Sequence, residues 1–217
     1  MKASLFSFAA LLLISPSLLF AEGEVVFTED FENGIDNWQV LDPETWKVSE
    51  KDGNHTFEIL ERGSAYKPPF RSPWHVALVK DVEVGDFDLT MRVRSTLDTG
   101  LHRDCCIYFG YQNPQQFYYA HLGAKPDETS GQILIVNNAA RNRMTRNETP
   151  VPWDDKWHTV KVERRVEAGT IKVYFDDMET PIMEHTDTTF GKGLVGIGSF
   201  DDLDEFDDIK LVVPSAE

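Results

Sequence analysis

The segment Phe117–Leu122 reads Phe-Tyr-Tyr-Ala-His-Leu. Side chains alternate between faces in an extended chain, so Phe117, Tyr119 and His121 share one side and Tyr118, Ala120 and Leu122 the other. A phenol beside an imidazole can move a proton. One group removes it next to a carboxylate, and a nearby cation or amide stabilises the anion that results. Tyr119 and His121 are therefore a candidate catalytic pair, with Arg103 assigned as the neutralising cation and Gln112, Arg141 and Arg143 able to share that role. Leu122 makes its own side the more apolar one, so the side bearing His121 is expected to face solvent.

The chain around this segment is unusual in what it lacks. Net charge is −16, with 37 acidic and 21 basic residues, yet three windows hold no acid at all: 62–80, 105–126 and 129–147. They contain Arg71, Trp74, Tyr111, Gln112, Asn137, Arg141 and Arg143. Rings stack on the apolar faces of sugars, while amides and guanidinium forks bond hydroxyls or a carboxylate. These seven residues are expected to bind a polysaccharide or oligosaccharide on one shared face, the face to which Tyr119, His121 and Arg103 also belong.

The elements that would carry such a face alternate with period two. Phe87, Leu89, Met91 and Val93 share one side of Phe-Asp-Leu-Thr-Met-Arg-Val-Arg; Val160 and Val162 repeat the pattern, as do Ile171, Val173 and Phe175. Further segments of this kind are 25–31, 55–60, 76–79, 105–111, 117–122, 132–136, 194–199 and 208–213, punctuated by Gly, Pro, Asn and Asp. Eleven or twelve strands with one polar face each predict an all-β fold, a two-sheet antiparallel β-sandwich of jelly-roll type.

Trp157-His-Thr-Val-Lys-Val-Glu-Arg followed by Gly169-Thr-Ile-Lys-Val-Tyr-Phe-Asp-Asp is similar to the paired strands of concanavalin A-like and laminin-G-like sandwiches. Glu29-Asp-Phe-Glu-Asn-Gly resembles the first strand of that superfamily, and the stretch 193–211 its last two. Secreted bacterial members include family 16 glycoside hydrolases and 3-keto-disaccharide hydrolase-like domains, and others only bind sugar. The resemblance implies a glycan site on the concave sheet. It also implies neighbouring first and last strands, which would gather Glu29, Glu32, Asp207 and Asp208 around a structural calcium ion, since hard cations take six to eight oxygens. The remaining acids of the run 201–208 are read as solvated. The Glu-x-Asp-x-Glu strand of retaining family 16 hydrolases does not occur here, which puts that mechanism in doubt. Jelly-roll lyases use a Tyr and His pair, so the enzymatic alternatives are a hydrolase or a lyase, and a third alternative is an adhesive sandwich with a protein partner.

Residues 1–21, one Lys and then an apolar run broken by Pro16, have the form of a cleaved secretory signal, leaving 22–217 as one domain in a secreted or periplasmic protein. Loss of Lys2 makes the remainder still more acidic, which argues against nucleic acid and anionic membranes as partners. The ligand is expected to meet a monomer. The two cysteines, Cys105 and Cys106, are adjacent and point to opposite faces, so buried thiols rather than a disulfide scaffold are expected.

Overall fold

The computed structural model describes residues 23–97 and 100–215, so the expected signal peptide at 1–21 lies outside the described residues. Among the described residues fifteen strands form: β1 Glu24–Glu29, β2 Trp38–Leu41, β3 Trp46–Lys51, β4 Asn54–Ile59, β5 His75–Val84, β6 Phe87–Ser95, β7 Cys106–Asn113, β8 Gln116–His121, β9 Gln132–Asn137, β10 Asn142–Arg143, β11 His158–Arg165, β12 Thr170–Phe175, β13 Met183–Thr186, β14 Gly193–Ser199 and β15 Asp204–Val213. They make two antiparallel sheets. One runs β13-β12-β11-β6-β15-β4-β3 with β1 also on β15; the other runs β10-β9-β8-β7-β14-β5-β2. This is the expected two-sheet sandwich. Among the described residues no helix is long and apolar enough to cross a membrane.

The alternation places each strand. Phe87, Leu89, Met91 and Val93 of β6 meet Val160 and Val162 of β11, and from the other sheet Ile107, Phe109, Tyr118 and Ala120, in one buried core. At one end Phe31, Trp38, Trp46, Phe57 and Phe206 pack ring on ring, with Trp46 and Phe57 stacked at 4.7 Å. Each of these aromatic side chains contributes apolar burial worth roughly 2–3 kcal/mol.

The strands absent from the sequence expectation are β2, β3, β10 and β13, two to six residues each. β15 also begins four residues earlier than the expected 208, at Asp204. Its first half pairs with β4 and its second half with β1, and the change of partner coincides with a register shift between Asp207 and Lys210. Asp208 sits there at φ 48. The bulge leaves Asp207 and Asp208 both on the Arg92 side of the strand, at 4.0 and 3.2 Å from its guanidinium, with Asp207 1% exposed and Asp208 at the surface.

The segment from 60 to 74 leaves β4 in one sheet and returns at β5 in the other. Tyr66, Phe70 and Trp74 of this segment pack on a second apolar cluster, made by Val76, Leu78, Cys106, Tyr108, Tyr111, Phe117, Tyr119, Leu134, Val136 and Phe200. These alternate with core residues of the same strands, so they form the outer face of the seven-stranded sheet, and the segment covers it. Asp42, at φ 59, anchors the cover by accepting from Ser64 Oγ at 2.7 Å and from the Ala65 N–H. We expect Asp42→Ala to expose residues 61–74 to limited proteolysis ahead of the sheets; unchanged cleavage kinetics would count against this anchor.

Candidate functional site

Beyond the cover, the same outer face opens into a cavity of about 350 Å³. Arg71, Trp74, Arg103, Asp104, His121, Arg141 and Phe200 contribute to its walls. Five of the residues expected on one face are thus brought together: Arg71, Trp74, Arg103, His121 and Arg141. One backbone and one side-chain hydrogen bond hold these loops in place. The Arg141 N–H donates to Arg71 O at 3.0 Å, and Trp74 Nε1 donates to Arg62 O at 3.1 Å. Phe200 is the pivot of the aromatic wall: Trp74 meets it edge-on at 5.2 Å, His121 at 5.4 Å, and the Arg141 guanidinium lies 4.1 Å above its ring.

Burial sorts the titratable groups. Asp104 Oδ1 stands 3.3 Å from His121 Nε2 and accepts from Ser199 Oγ at 3.1 Å. Burial alone would raise the Asp104 carboxyl, but attraction to the neighbouring His121 ring, with the Ser199 hydroxyl, holds it below its usual range. Asp202, behind it, is pushed up to about 6 by burial, although Ser95 Oγ and the Asp104 N–H donate to it at 2.6 and 3.0 Å. Asp204 is fully buried with no good donor on either oxygen, and burial raises it well above the carboxylate range. The thiols are free and buried, Cys105 in the core between the sheets and Cys106 on the outer face.

Tyr119 corrects the expectation of an open aromatic platform. It is on the same side as His121, as the alternation requires, with ring centroids 6.3 Å apart, but it is fully buried. Burial raises its phenol above the usual range, with the Arg141 guanidinium beside it opposing. Tyr111 is also buried, stacked on Phe117 at 5.0 Å. The physical reason is the cover: Tyr66, Phe70 and Trp74 occupy the space where a sugar would have met these rings.

Three other expected residues lie away from the cavity. Gln112 and Asn137 line a shallow polar depression with Asn113, Gln116 and Lys192. Arg143 forms a 3.4 Å pair with Glu128 beside Arg146 and Asn147. The residues that sequence reasoning missed are Asp104, Phe200 and Cys106. Asp104 and Cys106 share parity with Tyr108, which was a usable signal; Phe200 carried none, being embedded in an acidic run.

The carboxylates assigned to calcium are engaged by nitrogen donors. Glu29 accepts from the Phe31 N–H at 3.0 Å and Trp38 Nε1 at 3.3 Å, and Glu32 from His55 N and Nδ1 at 2.9 and 2.6 Å. Asp207 accepts from Asn54 Nδ2 at 3.1 Å and the Asp208 N–H at 2.8 Å, while Asp208 faces Arg92 at 3.2 Å. The first and last strands do lie side by side. A donor set already bonded to N–H groups does not fit the oxygen cage of a hard cation.

No protein-family model matches the chain, and no curated protein matches it in sequence. Solved structures do match in fold. The carbohydrate-binding module CBM66 from Bacillus subtilis superposes with a TM-score of 0.58 at 17% identity, covering 81% of this chain and 95% of that one. Domain 4 of AbnA, an extracellular GH43 arabinanase from Geobacillus stearothermophilus solved with arabinotriose, gives a TM-score of 0.58 at 10% identity, covering 90% and 95%. A galectin-like protein of unknown function from Bacillus subtilis gives 0.56 at 10%, covering 89% and 98%. The chain has a galectin- and concanavalin A-like sandwich fold. It is structurally similar to carbohydrate-binding modules across nearly their whole length.

Proposed function

We propose that this chain is a secreted or periplasmic carbohydrate-binding sandwich that takes part of an oligosaccharide into the cavity between Trp74, Arg141 and His121. The observation that carries the reading is Arg141. Its guanidinium lies over Phe200, and its Nε and Nη1 are buried without a hydrogen-bond partner. Leaving buried donors unmet costs about 1–3 kcal/mol, which hydroxyl or carboxylate oxygens of a bound sugar would recover. Trp74 offers a partly exposed ring beside them. The fold similarity to CBM66 and to the arabinanase domain supports the same class of ligand.

Screening the purified protein on an oligosaccharide panel and measuring its best ligand by calorimetry tests this. Arg141→Ala is expected to weaken binding at least about tenfold, a loss of ~1.4 kcal/mol, while Arg143→Ala, outside the cavity, leaves it unchanged. No ligand on the panel, or equal effects of the two substitutions, would refute the assignment.

A catalytic reading is favoured by one observation, the close Asp104–His121 pair on the cavity wall. It would also agree with the resemblance to 3-keto-disaccharide hydrolase-like domains. On that reading new reducing ends, or the ultraviolet absorbance of unsaturated uronates, accumulate with a bound ligand and vanish in His121→Gln.

A further inference from the structure

The structure assigns a transition-metal site, with zinc as its natural occupant, to Asp104, Cys106 and His121. One carboxylate oxygen, the thiol sulfur and one ring nitrogen of these residues lie within 4.8 Å of one another, and all three residues are buried. Their meeting follows from the sheet. Cys106 and His121 are directly opposed on β7 and β8, and Asp104 lies two residues before Cys106 on the same face.

The hydrogen-bond pattern points to a cation. His121 Nδ1 lies 2.6 Å from Thr129 O, an acceptor only, so the ring proton belongs on Nδ1. Nε2 stands 3.3 Å from Asp104 Oδ1 and makes no hydrogen bond of good geometry, so it is left unsatisfied within the protein. A cation held between this nitrogen and the carboxylate would satisfy both. An Nδ1–H bonded to a backbone carbonyl is also the arrangement that orients a histidine ligand toward a metal.

The donor types select the ion. One sulfur, one nitrogen and one oxygen suit a borderline-soft tetrahedral ion, at about 2.3 Å for sulfur and 2.0–2.2 Å for the others. Ligand atoms within 4.8 Å need to close only modestly to reach such a sphere. Binding displaces the Cys106 thiol proton to solvent and leaves a metal–thiolate bond. Three protein ligands leave a fourth position for water or a ligand oxygen. Asp104 and His121 line the cavity, which gives an entry path.

The test needs no sugar and so stands apart from the carbohydrate reading. The intact protein is stripped with EDTA, titrated with Co²⁺ or Zn²⁺, dialysed and analysed. We expect one metal per chain, visible d–d bands of four-coordinate cobalt and a near-ultraviolet thiolate-to-cobalt charge-transfer band. Cys106→Ser should abolish the charge-transfer band, and His121→Gln should weaken zinc binding at least about tenfold. Cys105→Ser, whose sulfur faces the core, should keep the band. Circular dichroism checks that each variant is folded. Failure of the native wild-type chain to retain either metal would overturn the assignment in favour of an imidazolium–carboxylate pair, as would a band that follows Cys105 rather than Cys106.

Discussion

Arg164→Met is expected to remove about 3 kcal/mol from the free energy of unfolding, read as a shift of the urea midpoint at constant slope. Arg164 is 1% exposed, although it is a charged residue on a β-strand. Its position follows parity: it shares a side of β11 with Val160 and Val162, and so points into the sandwich. Among the described residues no carboxylate forms an ion pair with it. Instead Nη1 donates to Gly169 O at 2.7 Å and Nη2 to Phe190 O at 3.0 Å, with the Tyr118 ring 5.5 Å away. Tyr118 Oη in turn accepts from the Phe190 N–H at 2.8 Å and donates to Asp187. The phenol is pushed up to about 12 by burial first and by Asp187 second. Together they tie the β11–β12 turn and the β13–β14 loop to β8. Methionine keeps most of the stem volume but takes the donor from Phe190 O, at about 1–3 kcal/mol for an unmet buried acceptor, and one of two donors from Gly169 O, which keeps the Asp187 N–H at 2.9 Å. Relief of the guanidinium's desolvation offsets part of that loss. A loss under about 1 kcal/mol would show that water fills the vacancy and that the tie is dispensable.

Arg164 also shows what kind of information the sequence carried. Alternation placed it inward, yet charge alone would have put it outside, and only the positions of two distant carbonyls resolve the conflict. The same limit applies to the cavity. Parity placed Tyr119 and His121 on one side, and the acid-free windows identified Arg71, Trp74 and Arg141, which the fold does bring together. What period-two patterning cannot show is a cover. The segment 60–74, with Pro68 and Pro69 and no regular hydrogen bonding, has no period to read, yet it buries Tyr111 and Tyr119 and reduces an expected platform to a pocket. The acidic run 201–208 corrects the expectation that its remaining acids are solvated, for a related reason. Asp201 pairs with Arg62 at the surface, Asp202 and Asp204 are buried, and at the bulge Asp207 is buried while Asp208 is exposed. One stretch of like charge therefore serves several environments, set by the strands on either side. The short strands β2, β3 and β13 were illegible because four to six residues seldom show enough alternation to separate them from loop.

Gly198→Ala is expected to have a comparable or larger effect, at least about 3 kcal/mol, above the usual range for overpacking because the obstruction is backbone. β14 runs between β5 and β7, with Gly198 opposite Val76 on one side and Cys106 on the other. A Cβ there would lie 1.8 Å from His75 O and 3.0 Å from Tyr108 Cε2. The missing side chain lets the Tyr108 ring lie over the strand and its Oη donate to His75 O at 2.9 Å. Adding a methyl group must push β5 away or expel Tyr108, and Cys106 and Phe200 belong to the same packed cluster. The damage should therefore reach the cavity, so oligosaccharide affinity is expected to fall together with the urea midpoint. Gly63→Ala is the control. A Cβ at Gly63 meets nothing within 4 Å, so its stability should stay within about 0.5 kcal/mol of the parent. Equal stability of the two variants would mean that β14 can shift away from β5 without loss, and that the floor beneath the cavity is not held by this contact.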